Sequence, residues 1–210
     1  CGIGAVWSST SPDFGAKSVI DRFKQIKPKV LIACDGYTYG GKRFLKNEAI
    51  QDILRAVPSI QTLLIVPFLD EPPTLFQHVK TMCWAEVMEQ PENEITFVPV
   101  RFDHPIWILY SSGTTGLPKA ITHSHGGVLL EHFKYLSFHN DVHPGERFFW
   151  YSTTGWMMWN FVQASMLVGA TIVLYEGSPA YPNLNVLWEL ADTAGIHHFG
   201  TSGPFIIACM

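Results

Sequence analysis

The sequence predicts an α/β fold of mostly parallel sheets with flanking helices. Short, nearly continuous apolar runs alternate with segments whose apolar residues recur at helical spacing. Strands that apolar throughout belong to parallel sheets covered on both faces by helices. Polar, glycine-bearing turns also follow several of the runs, and an open α/β sheet binds its ligands beyond the carboxyl ends of its strands.

The elements follow in order. After an apolar entry, Ser8 to Gly15 reads as a polar turn. Ala16 to Ile26 carries Val19, Ile20, Phe23 and Ile26 on one helical face. Lys29 to Cys34 is a buried strand, and Tyr37 to Gly41 turns on Gly40-Gly41. Ile50, Ile53, Leu54 and Val57 mark a second helix stopped at Pro58, and Gln61 to Pro67 is the next buried strand. Pro67 to His104 is expected to be a surface excursion with a weak helix at Ala85 to Glu89.

Ile106 to Tyr110 is an apolar strand, and Lys119 to Thr122 a short return strand. Val128, Leu129, Leu130, Phe133 and Leu136 form a helix face starting near His125, and Phe148 to Tyr151 is a strand. Met157 to Val168 is an almost wholly apolar helix, which implies burial on most sides. Ala170 to Tyr175 is a strand, Val186 to Ala194 a helix and Ile196 to Phe199 a strand. A turn, Gly200 to Pro204, then opens a last apolar helix. If their strands are parallel neighbours, the turns Ser111 to Lys119, Ser152 to Trp156 and Gly200 to Pro204 share one edge and line one cleft.

The first of these turns is the centre of the chain. Ser111-Ser112-Gly113-Thr114-Thr115-Gly116-Leu117-Pro118-Lys119 offers four hydroxyls, two glycines and one lysine. Glycine lets backbone approach a ligand, successive N–H groups converge on an anion, and lysine adds a charge on a flexible stem. The pattern is a phosphate grip. It is not G-x-x-x-x-G-K-[ST], because Pro118 stands before Lys119. The plainer alternative is a polar surface hairpin, since Gly, Ser, Thr and Pro are ordinary loop residues.

Composition narrows the function. The chain has 210 residues, 47% of them hydrophobic and 15% charged, with a net charge of −4, so it can bury a sizeable core. No run of Lys or Arg points to nucleic acid or an anionic membrane. Cys1, Cys34, Cys83 and Cys209 are scattered without a C-x-x-C pair, as in a protein of a reducing compartment, and a cytoplasmic location is expected. His123-x-His125 and His197-His198 lack the further ligands that a zinc site needs, and no metal ligand is assigned. No apolar run approaches a membrane span. Cys1 leads directly into apolar residues and Phe205 to Met210 has no helix stop signal, so the sequence is expected to be a piece of a longer domain.

The string Ile108 to Lys119 resembles the signature of the acyl-adenylate-forming (AMP-binding) enzymes, the family of acyl-CoA synthetases, luciferases and peptide-synthetase adenylation domains. The resemblance implies that residues 1–210 are an incomplete part of that family's large N-terminal domain, with the C-terminal lid domain absent. It implies ATP as substrate, CoA as co-substrate, and Mg2+ held largely by residues outside this chain. The nucleotide-binding residues are then Ser111, Ser112, Gly113, Thr114, Thr115 and Gly116, with Lys119 as a supporting charge. No residue is assigned a covalent catalytic role. Isolated, such a piece is expected to show negligible ligase activity and to aggregate through its exposed edges.

Gly155-Trp156-Met157-Met158-Trp159 is similar to the Gly-Trp stretch of short-chain acyl-CoA synthetases, whose following residues wall the acyl pocket. Met157-Met158-Trp159 is similar to the members of that family that activate a short keto acid, as are Val6 to Gly15 and Leu174 to Pro179, and the resemblance implies such a substrate. Trp156, Met157, Met158, Trp159, Gly200, Thr201 and Ser202 are the substrate-binding candidates. Core packing is the other reading of Met158, and Ser202 with Pro204 also reads as a helix cap. Three alternatives stay open: a non-catalytic binding or interaction module, another short-chain acyl-CoA synthetase, and a peptide-synthetase domain. The Gly-Trp-Met-Met-Trp stretch argues against the last.

Overall fold

The structure, a computed structural model, describes residues 1–69, 76, 79–91, 94–111 and 116–210. Within them the first half holds α1 (Ala16–Ile26), β1 (Val30–Cys34), β2 (Gly36–Tyr39), β3 (Lys42–Leu45), α2 (Asn47–Ala56), β4 (Thr62–Val66), β5 (Lys80–Cys83) and α3 (Trp84–Met88). β1, β4 and β5 form a parallel sheet in that order, with Val30 opposite Thr62 and Leu63 opposite Thr81. α1 and α2 lay Val19, Phe23, Ile50 and Ile53 on Leu31, Leu63 and Ile65. α1 ends where Lys27 turns left-handed at φ 48° and donates its N–H to the Phe23 carbonyl, just before Pro28 stops the helix.

Two expectations need correction here. Tyr37 to Gly41 is more than a turn, because β2 and β3 form an antiparallel hairpin whose tip is Gly40-Gly41, with φ 56° and 76°. Two-residue hairpin tips favour such positive φ. β3 is exposed throughout, so no apolar alternation announced it. Residues 67–104 are not wholly an excursion either, since β5 adds a third strand to the sheet. β1 is also covered on one face only: Val30 and Ile32 are 56% and 42% exposed.

The second half holds β6 (Pro105–Ser111), β7 (Lys119–Ser124), α4 (His125–Lys134), β8 (Arg147–Trp150), α5 (Met157–Ala164), β9 (Thr171–Ile172), α6 (Val186–Ala194), β10 (His198–Gly200) and α7 (Gly203–Cys209). β6 and β7 form the expected strand–loop–strand, antiparallel, with Ser111 opposite Lys119. β10, β8 and β9 form a second parallel sheet with β8 in the middle. Successive strand side chains point to opposite faces. Phe148 therefore enters a core with Leu136, Phe161 and Val162, while Phe149 enters another with Leu187 and Phe205.

Three elements differ from their predicted extent. The strand at 170–175 pairs only at Thr171–Ile172, although Val173 still donates to the Phe148 carbonyl at 2.9 Å. The helix at 157–168 tightens into a 3₁₀ turn at Ser165–Val168 and stops at Gly169, φ 79°. Asn160, Phe161 and Val162 are buried, but Met157, Met166 and Leu167 are 50%, 59% and 41% exposed. On α4 only Val128 of the predicted face is buried, and Leu136 is buried in the π-helical turn that follows; Leu129, Leu130 and Phe133 face outward. No disulfide joins the cysteines. Among the described residues no helix is long and apolar enough to cross a membrane.

Candidate active site

Two of the three turns leave the same sheet edge. β8 and β10 are parallel neighbours, with Gly200 opposite Trp150, so Ser152–Trp156 and Gly200–Pro204 both emerge at their carboxyl ends. Tyr151 continues the pairing by donating its N–H to the Gly200 carbonyl at 2.8 Å. The Ser111–Lys119 turn does not belong to that edge. It closes the β6–β7 hairpin, a separate two-stranded sheet, because the chain returns antiparallel at once.

Residues 7–15 bring the hairpin to the β8 turn. Trp7 bridges Trp107 in parallel, donating to the Ile106 carbonyl and accepting from the Ile108 N–H, each at 2.9 Å. Ser8 Oγ donates to the Ile108 carbonyl at 2.8 Å. The next two residues engage the other side: Ser9 Oγ donates to the Thr154 carbonyl at 2.6 Å, and Thr154 Oγ1 donates to the Thr10 carbonyl at 2.9 Å. A Cβ on Gly155 would stand 2.9 Å from the Ser11 nitrogen and 3.1 Å from the Phe14 ring. This glycine is required by close backbone approach.

At the mouth of the hairpin, Tyr110 donates its hydroxyl to the Arg22 carbonyl at 3.3 Å, and the Arg22 guanidinium lies over both the Tyr110 and Phe14 rings, 5.6 and 4.9 Å from their centroids. Burial pushes the Tyr110 phenol above its ordinary range, so it remains a neutral donor. Of the nucleotide-binding candidates, Ser111 ends β6 and Lys119 begins β7, Lys119 being exposed. No atom lies within 4 Å of a Cβ built on Gly116, so the described chain itself leaves that face open. Ser112, Gly113, Thr114 and Thr115 lie outside the described residues.

The substrate-binding candidates divide. Trp156 and Met157 are 57% and 50% exposed at the start of α5, Trp159 is partly buried, and Met158 packs on the core beneath β8. Gly200 is buried against the Trp150 indole. Ser202 caps α7, accepting from the Phe205 N–H at 3.4 Å, with Pro204 at the second helical position rather than the first. Thr153 and Thr201 follow β8 and β10, and their buried hydroxyl oxygens have no hydrogen-bond partner among the described residues. Among the described residues no group of three or more His, Cys, Asp or Glu is placed to hold a metal ion.

Sequence reasoning missed Gln25, Arg22 and the stitching role of Ser9 and Thr10. The hydroxyl cluster Ser8 to Ser11 was a signal for the last of these. Gln25 gave none, because it lies on the exposed side of α1. Its Nε2 donates to the carbonyls of Asp21 and Pro118, each at 2.8 Å, and its Oε1 accepts from the Ala120 N–H at 3.3 Å.

The β6–β7 hairpin is stitched through β6 to the turn at the carboxyl edge of a parallel sheet, and the class follows: the chain belongs to the AMP-binding enzyme family, whose sequence model matches residues 1–210. Within that class it is similar to acetoacetyl-CoA synthetases. The enzyme of that name from Rhizobium meliloti (strain 1021) is 43% identical over 98% of this chain and 32% of its own length. The one from Danio rerio is 39% identical over 97% of this chain and 31% of its own. The structure of acetoacetyl-CoA synthetase from Streptomyces lividans superposes with a TM-score of 0.92 at 47% identity, over 99% of this chain and 31% of that one. The chain thus spans about a third of the length of the relatives it matches.

Proposed function

We propose that the protein carrying this chain is an ATP-dependent acid–CoA ligase acting on a short keto acid, acetoacetate. A carboxylate oxygen attacks the α-phosphorus of ATP; the acyl–oxygen–phosphorus link forms as the bond to the β-phosphate bridge breaks, and pyrophosphate leaves with the electron pair. The CoA thiolate then attacks the acyl carbon and AMP departs. The first step brings an anion to a polyanion, so fixed donors at the leaving phosphates lower its barrier. Ser111 to Gly116 supply those donors and Lys119 adds charge. Trp156, Met157, Met158 and Trp159, with Gly200 to Ser202, bound the acid.

Residues 1–210 are on this reading part of the adenylate-forming domain, with the lid domain elsewhere in the protein, and the enzyme is cytoplasmic. Mg2+ in such chemistry neutralises phosphate charge. Among the described residues no group of three or more His, Cys, Asp or Glu fits it.

The observation that supports the proposal is that β6, the strand leading into the Ser111–Lys119 segment, is joined through residues 7–10 to the Thr154 turn after β8. ATP–pyrophosphate exchange by the full-length protein with a panel of short acids tests it. Acetoacetate is expected to dominate. Equal exchange with acetate or propionate overturns the pocket assignment to Met157, Met158 and Trp159. Nucleotide binding without exchange for any acid favours a non-catalytic module.

A further inference from the structure

Gln25 treats the exit of the phosphate loop as a neighbouring strand would. In a parallel ladder a residue donates to the carbonyl one position before its partner and accepts from the N–H one position after it. The Gln25 side-chain amide does both around Lys119, donating to Pro118 at 2.8 Å and accepting from Ala120 at 3.3 Å. Its second amide hydrogen goes to the Asp21 carbonyl one helical turn back, at 2.8 Å. The amide nitrogen therefore faces two carbonyls and the oxygen faces an N–H, which fixes the orientation of the group. Among the described residues β7 pairs with β6 alone, and Gln25 covers its outer edge where the chain leaves the loop.

We infer that Gln25 is a positioning residue for nucleotide chemistry: it clamps the peptide groups on both sides of Lys119 to α1 and so fixes where the lysine stem starts. The inference rests on the ligase reading above. Lysine is a point charge on four flexible carbons, so its value to a phosphate depends on the placement of its backbone. α1 is a suitable anchor because Val19 and Phe23 seat it in the core of the first sheet. The same helix holds the entry side of the loop through Tyr110 and Arg22. Both limbs are thus referred to one rigid element.

The test is ATP–pyrophosphate exchange by the full-length protein with Gln25→Leu, Gln25→Glu, Lys119→Met and the Gln25→Leu/Lys119→Met pair. Gln25→Leu keeps bulk and removes all three hydrogen bonds; Gln25→Glu keeps the acceptor and loses both donors. Each is expected to raise the KM for ATP and for pyrophosphate about tenfold, with the KM for the acid and the melting temperature unchanged. In the Lys119→Met background, Gln25→Leu is expected to add little, because the charge it positions is gone. Additive effects in the pair, or a rise in both KM values with a fall in melting temperature, overturn the role and leave Gln25 as a structural contact. A wild type that exchanges while Gln25→Leu leaves the ATP KM unmoved overturns the role alone. A wild type that exchanges with no acid overturns the ligase reading, and this role with it.

Discussion

Gly200 lies directly beneath the Trp150 indole: a Cβ built on it would stand 2.1 Å from two ring carbons. The two residues are register partners on β10 and β8, so neither strand can shift without breaking the ladder. Gly200→Ala is expected to cost about 1–3 kcal/mol as the indole is forced off its rotamer. Thermal unfolding of the variant beside Gly203→Ala, where a Cβ meets nothing within 4 Å, checks this. Equal melting temperatures for the two variants would refute it.

His132 makes stability sensitive to acid. Its ring sits 5.8 Å from Trp107 and, edge-on, 5.8 Å from Phe161, and its buried Nδ1 has no partner among the described residues. Burial holds the imidazole below its ordinary value of 6.5, opposed by Glu131 and reinforced by His123. The unfolded chain therefore binds the proton first. The neutral ring carries no penalty above about pH 6.5, and stability falls as pH drops from there toward the folded-state value. His132→Gln should flatten that acid limb in melting temperatures taken between pH 7 and 5.

Met157 and Met158 should part company. Met158→Ala removes packing from the core beneath β8 and is expected to destabilise at the low end of about 2–5 kcal/mol. Met157 is 50% exposed, so Met157→Ala should stay within about 0.5 kcal/mol while changing the acid preference in pyrophosphate exchange. Unfolding midpoints and acid-panel kinetics separate the two.

On the proposed reading the loop donors share their task. Ser112→Ala or Thr115→Ala alone should lower kcat for exchange by about tenfold, less than the roughly 100-fold or more seen when a lone anion-hole donor is lost, because other hydroxyls remain. The double variant should fall further than either. Steady-state exchange rates decide.

What the sequence showed, and what it hid, follows from exposure. β8 was legible because Phe148-Phe149-Trp150 is apolar on both faces, and the β6–β7 hairpin because an apolar run and a short return strand flank a glycine-bearing turn. β2 and β3 were not, since a surface hairpin has no apolar side to alternate; its register shows instead in the stacking of Tyr37 on Phe44, 5.2 Å apart. β5 was hidden because Lys80-Thr81-Met82-Cys83 is too short and mixed to carry a period. The topology around the three turns was half legible: parallel pairing joined two, while tertiary contacts of Ser8, Ser9 and Thr10 tie to them the strand that leads into the third. Gln25 could not be read, because its partners lie 93 and 95 positions away and no periodicity links them.

The strap at residues 7–15 limits how this family can be recombined. It is bonded to β6 through Ser8 and to the Thr154 turn through Ser9 and Thr10. A chimera spliced between residues 16 and 104 would take its strap from one parent and both of the strap's docking partners from the other. Swaps that exchange acid preference between relatives should therefore carry residues 7–15 along with the Gly155 turn, although the whole first sheet lies between them in the gene.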